Sequence, residues 1–302
     1  MALTATTLPV LTWEESRPTI DTLRRYLQIL GKIRLASSPP REHSWNAGLT
    51  VTPRGLTTGL LRHGEDDFEI ELDMVGHAIS ARTTRGTLGR VEIDGSASVA
   101  SVYGGLTEML AADGIRPTIR PVPYGLADTT PFPEDLAPRP YDPAYIAGLS
   151  EALRFGHAAF SKFAGRAIVK TSPVFFFWHS LDLVLTRHLT RPNATSTDEP
   201  QTEETIAFGF WPGDLDFPQP SFYSYMTPEP PRVAETALAA GGVWAPQGDT
   251  HLALLSYENI RASEDPHGRL LDFLDGAYQA EARLAAWPVD ALRSKWSPEP
   301  PP

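Results

Sequence analysis

The 302-residue chain contains no cysteine. That excludes disulfides, thiolate metal ligands and cysteine nucleophiles together, and nothing points to an oxidising compartment. The sequon Asn193-Ala194-Thr195 is accordingly read as inert. Long hydrophobic runs are also missing. The most apolar window, Pro173 to Leu185, is broken by His179 and Asp182 and is too short to cross a bilayer as a helix. Met1 to Glu15 lacks the basic region and apolar run of a secretory signal, so the expected location is cytoplasmic. Positive charge is in deficit, with 26 Lys and Arg against 37 Asp and Glu and a formal net charge of -11. No basic cluster offsets that balance, so neither nucleic acid nor membrane is an expected partner.

Familiar catalytic signatures are absent too. There is no Gly-x-Ser-x-Gly elbow, P-loop, Gly-x-Gly-x-x-Gly or His-Glu-x-x-His. Among the eight histidines no pair has a spacing that delivers two imidazoles to one metal without help from the fold. The sequence therefore assigns no metal ligand and no cofactor, and leaves oligomeric state open.

What is present is α+β patterning. Ile20, Leu23, Leu27 and Leu30 recur at helical spacing ahead of Gly31, predicting a first helix that stops there. Its start is open between a Thr12-x-x-Glu15 capping box and a first turn holding Pro18. Five short strands follow: Trp45 to Thr52, Gly55 to Leu61, Asp67 to Met74, His77 to Thr84 and Thr87 to Ile93. Phe68, Ile70 and Leu72 alternate with Glu69, Glu71 and Asp73, giving one strand a core face and a wet face. A second helix is predicted over Val99 to Asp113.

Eight prolines among residues 117–143 mark an extended connector. Beyond it Asp142-Pro143 opens a third helix, with Ile146, Leu149, Leu153, Phe160 and Phe163 on one face. Strands are predicted over Pro173 to His188, Thr205 to Trp211, Ser221 to Met226 and Thr250 to Leu255, with a polar loop at Arg191 to Glu204. Asp265-Pro266 opens a last helix.

The order helix, antiparallel sheet, helix thus occurs twice. Gly31 matches Gly165, Ser38-Pro39 matches Ser172-Pro173, and after one gap Trp45, Val51, Arg54, Leu56 and Thr57 match Trp178, Val184, Arg187, Leu189 and Thr190. Each proline disfavours helix at the serine before it, so each helix must give way to an extended segment there. These matches predict an α+β fold of two pseudo-repeated halves; the competing reading is chance likeness between two helix-to-strand joints. Residues 1–120 form the first half, 121–140 the connector, 141–296 the second half and 297–302 a disordered tail.

Gly-Lys-Ile-Arg-Leu at 31–35, Ser-Pro-Pro at 38–40, Arg-Gly-Leu-Thr-Thr at 54–58, Phe176-Phe177-Trp178, Asp182-Leu183, Phe210-Trp211-Pro212-Gly213 and Pro228-Glu229-Pro230-Pro231 carry a resemblance. Over nearly the whole chain they resemble an uncharacterised bacterial family, domain of unknown function 5996. The resemblance implies no particular activity, ligand or site residue. Members often carry histidine where this chain has Phe175, so a mechanism needing that imidazole is not expected here.

Asp182 interrupts an apolar run in a strand that reads as buried on both faces, and a carboxylate there needs a partner. Arg54 and Arg187 are the candidates for a structural ion pair, against a functional acid. Alternation places Trp178, Ser180 and Asp182 on one strand face and His179 on the other. With His43, His179 and Asp182 as catalytic candidates, the two joints add Lys32, Arg34, Trp45, Arg54, Lys170, Trp178 and Arg187 as ligand-binding candidates. Of 29 aromatic residues, 22 lie in the second half, which fits either an ordinary core or the apolar walls of a pocket. The expected function is binding or conversion of a small organic molecule in an aromatic-lined pocket between the halves. The alternative is a non-catalytic scaffold or regulatory protein-interaction module.

Overall fold

A computed structural model describes residues 8–192 and 203–295. The sequon, most of the Arg191 to Glu204 loop and the 297–302 tail lie outside the described residues. The fold is α+β, with helices packed on two antiparallel sheets in two compact units. The first unit comprises Met1–Gly156, Phe175–Leu183 and Phe210–Pro220, and the second comprises His157–Val174, Val184–Gly209 and Ser221–Pro302. The connector thus belongs to the first unit. Among the described residues no helix is long and apolar enough to cross a membrane.

In the first unit, α1 (Trp13–Ala36) begins after Thr12, whose hydroxyl donates to Glu15 at 3.0 Å, and carries Pro18 inside. The predicted stop at Gly31 is not observed. A Cβ built there would lie 2.2 Å from the indole of Trp178, so this glycine admits a ring instead of ending the helix. That indole donates Nε1–H to the Ala47 carbonyl at 3.1 Å. Gly31→Ala gains about 1 kcal/mol of helix propensity but overpacks the ring, at about 1–3 kcal/mol. A lowered denaturation midpoint is the expected result; a raised one would show that the indole is not fixed against the helix.

The first sheet has strand order β1 (Thr50–Val51), β2 (Gly55–Thr57), β4 (Asp66–Asp73), β5 (Ala78–Thr83) and β6 (Gly86–Glu92), with β3 (Leu61–His63) also paired to β4. Phe68, Ile70 and Leu72 are buried, as their alternation predicts. The predicted Trp45 to Thr52 strand is reduced to β1, because residues 45–47 form a turn that continues from a 3-10 helix at Glu42–Ser44, where His43 and Ser44 hold positive φ. The Gly55 to Leu61 strand is divided by Gly59 at φ 63. Helix α2 (Val99–Ala112) is closed by reciprocal Ser98 and Ser101 side-chain bonds and packs on β5 and β6.

The proline-rich connector runs antiparallel along α1. Thr19 accepts from the Asp142 amide, Thr22 donates to the Pro140 carbonyl, Arg25 meets Asp128, and Gln28 exchanges two hydrogen bonds with the Tyr124 backbone. Four α1 positions at intervals of three form one polar stripe, which is why the connector follows the helix axis.

The second sheet has order β12 (Val243–Gln247), β13 (Thr250–Ser256), β11 (Ser221–Thr227), β10 (Glu203–Trp211), β9 (Asp182–Pro192) and β7 (Lys170–Thr171), with β8 (Phe175–Phe177) paired to β9. The single strand predicted over Pro173 to His188 is a hairpin, turned at residues 178–181 with Leu181 at φ 62. Helix α3 spans Pro143–Ala164, and α5 (Pro266–Leu284) is capped by Asp265, which accepts from the Gly268 amide. Short helices α4 (Tyr257–Arg261) and α6 (Val289–Leu292) complete the set; neither was predicted. The matched joints differ in backbone: Val51 lies in a two-residue strand, Val184 in the eleven-residue β9.

Candidate functional site

A pocket of about 550 Å³ lies within the second unit. Helix α3 ends at Ala164, and the chain then passes Gly165 and Arg166 into an antiparallel bridge between Ala167 and Arg293. The Ile168 amide donates to the Leu292 carbonyl at 2.7 Å and the Ser294 amide to the Arg166 carbonyl at 3.0 Å. These bonds fix one wall. Asp275, Tyr278 and Gln279 of α5 form another, and Val289 closes the side.

Arg187 also lines the pocket. It is 1% exposed, and along β9 it shares a face with Leu185. Its guanidinium lies 3.9 Å from the Phe163 ring centroid, 4.5 Å from Tyr278 and 5.8 Å from Phe208. Nη2 donates to the Phe163 carbonyl at 2.6 Å, whereas Nε has no hydrogen-bond partner among the described residues. Burial lowers its pKa to about 10; Tyr278 opposes that shift and Arg166 adds to it. The Tyr278 hydroxyl is likewise buried without a partner among the described residues, and burial raises its pKa. Nearer solvent, Arg166 is paired with Asp275.

Three aromatic faces stabilise a cation, at about 0.5–2 kcal/mol for each favourable contact. They do not saturate a guanidinium's five donors, and no carboxylate pairs with Arg187 among the described residues. A buried cation and an unpaired phenol are therefore left beside an open cavity, a donor set suited to an anion that accepts hydrogen bonds.

The profile of a family described as a family of unknown function, DUF5996, matches residues 8–294. The chain belongs to this family. No curated protein and no solved structure matches it.

In this DUF5996 chain the residues singled out from sequence divide between the two units. Arg187 lies on the pocket floor. Lys170 pairs with Glu203 at 2.6 Å, and its strand partner His188 is buried, with ring nitrogens 2.9 Å from Thr205 Oγ1 and 2.8 Å from Thr186 Oγ1. The rest lie in the first unit. Arg34 donates to the Thr58 carbonyl, and burial lowers its pKa. Lys32 is half-buried, its pKa lowered by burial and by Arg120. His43 is buried, 5.6 Å from the Trp45 ring.

Asp182 differs from expectation. It is half-buried at the start of β9, where Ser180 Oγ donates to it. Of the two arginines considered for it, Arg54 pairs with Asp73 at 2.8 Å and Arg187 lies among aromatic rings. The turn also breaks the assumed face alternation. His179 sits at the surface, crowded by Tyr124, Phe177 and Trp178; that crowding lowers its pKa while the Asp182 carboxylate raises it.

Arg166, Tyr278 and Arg293 were missed as pocket residues. Arg166 had a signal, since it occupies the column of Lys32 in the joint alignment. Tyr278 lies at helical spacing from Leu270 and Leu274, so periodicity alone makes it one more core position of the last helix. Nothing local marks Arg293, which reaches the site through a bridge to a residue 126 positions earlier (293 minus 167).

Proposed function

We propose that this protein binds a small organic acid in the second unit's pocket, with the carboxylate on Arg187 and Tyr278. The observation that carries the reading is a buried guanidinium beside a cavity, with Nε unpaired. Desolvation already depresses its pKa, so an incoming anion restores part of the electrostatic energy lost on burial. The apolar part of the lining, Ala167, Val289 and the Tyr278 ring, supports an organic ligand over a bare inorganic anion. A cytoplasmic setting is part of the proposal, supported by the cysteine-free composition.

Arg187→Met keeps the length and apolar bulk of the side chain while removing its charge. Calorimetric titration with a panel of small carboxylic acids is expected to show affinity falling by about 1.5–3 kcal/mol, roughly 10- to 150-fold, the range for a hydrogen bond to a charged group. The melting temperature is expected to hold or rise, because an uncompensated buried cation has been removed. Unchanged affinity in a folded variant would reject the pocket as the acid site; a collapse of stability without ligand would mark Arg187 as structural.

A further inference from the structure

The pocket walls carry more positive charge than one carboxylate neutralises. Arg166, Arg187 and Arg293 line it, and Asp275 is the sole acid among its lining residues. Arg166 is engaged with Asp275, which leaves two guanidinium groups without a counter-charge among the described residues. They stand at different depths: Arg187 is buried on the floor, while Arg293 is exposed at the mouth. The Arg293 backbone is fixed by the bridge to Ala167 and by the flanking amide bonds of Ile168 and Ser294, so its side chain extends from an anchored point.

We propose that the ligand is a dicarboxylic acid. One carboxylate is held on the floor by Arg187 and the Tyr278 hydroxyl, and the other is met at the mouth by Arg293. This rests on reading the pocket as an organic-acid site. Two cations at separate depths match two separated charges better than a phosphomonoester, which concentrates both charges on one group.

The test is titration of the full chain with butyrate, succinate, glutarate, adipate and glycerol phosphate at one ionic strength, repeated with Arg293→Ala and Arg187→Met. One dicarboxylate is expected to bind at least about fivefold tighter than butyrate, an advantage set by a charge-assisted bond at a partly solvated mouth. Arg293→Ala is expected to abolish that advantage by weakening the dicarboxylate more than butyrate, and Arg187→Met to weaken every acid. Equal binding of butyrate and all dicarboxylates, an advantage that survives Arg293→Ala, or tightest binding of glycerol phosphate overturns the dicarboxylate proposal alone. Insensitivity to Arg187→Met, or binding of none of the probes, overturns the organic-acid reading with it.

Discussion

Between about pH 5 and about pH 8 the folded protein is expected to lose on the order of 3 kcal/mol of stability through one group, Glu281. This α5 carboxyl is 1% exposed; Oε2 accepts from Ser224 Oγ at 2.7 Å, and Oε1 has no hydrogen-bond partner among the described residues. Burial raises its pKa to about 8, with the Ser224 hydrogen bond opposing and the negative charge of Glu229 adding. The folded value lies above the ordinary 4.5, so the unfolded chain releases this proton at a pH where the folded chain still holds it. Stability from this group is therefore full below about 4.5, falls as pH rises, and is lost once the folded carboxyl ionises near 8.

Burial lowers the pKa of His157 and crowding lowers that of His179, which gives slopes of the opposite sign near their ordinary range. The informative quantity is thus the difference between the wild type and Glu281→Gln. Denaturation free energies across that range are expected to flatten in the variant by the amount stated. Parallel pH profiles for the two proteins would rule Glu281 out as the source.

Removal of Asp135 is expected to cost about 3 kcal/mol, the lower end for breaking a buried ion pair, because it takes one carboxylate from both Arg25 and Arg139 while Asp128 still faces Arg25. Arg25 is 5% exposed on α1; its Nη2 lies 2.6 Å from Asp128 and its Nε 3.6 Å from Asp135. Asp135 also accepts from Arg139 Nε at 3.1 Å. Arg25 Nε and Nη1 already lack hydrogen bonds among the described residues, so Asp135→Ala leaves the guanidinium facing only the more exposed Asp128. Denaturation of Asp135→Ala in the wild-type and Arg25→Met backgrounds separates the causes. A stranded charge predicts a much smaller loss in the second background; an equal loss would show that the cost lies in the backbone around Asp135.

The sequence made the local elements legible where one physical signal acted alone. The Phe68, Ile70 and Leu72 alternation, the Asp142 and Asp265 caps and the α2 stripe each depend on residues within a turn or two. It misled where a distant side chain decided the outcome. Gly31 looks like a stop until Trp178 is laid on it, and residues 178–181 look like strand until Leu181 takes positive φ. Strand β12, which carries Pro246, was missed because proline argues against a strand, although an edge tolerates it. For the candidate site, Arg187 was reached through its match to Arg54 at the second joint and as a possible partner of Asp182. Its partners on α5 and after α6 are separated from it by whole elements, and periodicity carries no information about them.

The proline-rich segment laid along α1 also bears on the state from which the protein folds. Ordering a backbone residue costs about 1–2 kcal/mol, and a proline in a compatible place reduces that cost by about 0.4–1 kcal/mol by restricting the disordered chain. Eight prolines fall within residues 117–143, a stretch with only one short 3-10 turn, at Phe132–Glu134. Much of its freedom is therefore absent before folding begins. A few polar contacts at Thr19, Thr22, Arg25 and Gln28 suffice to hold it where a flexible glycine-rich segment of equal length would demand a larger apolar interface.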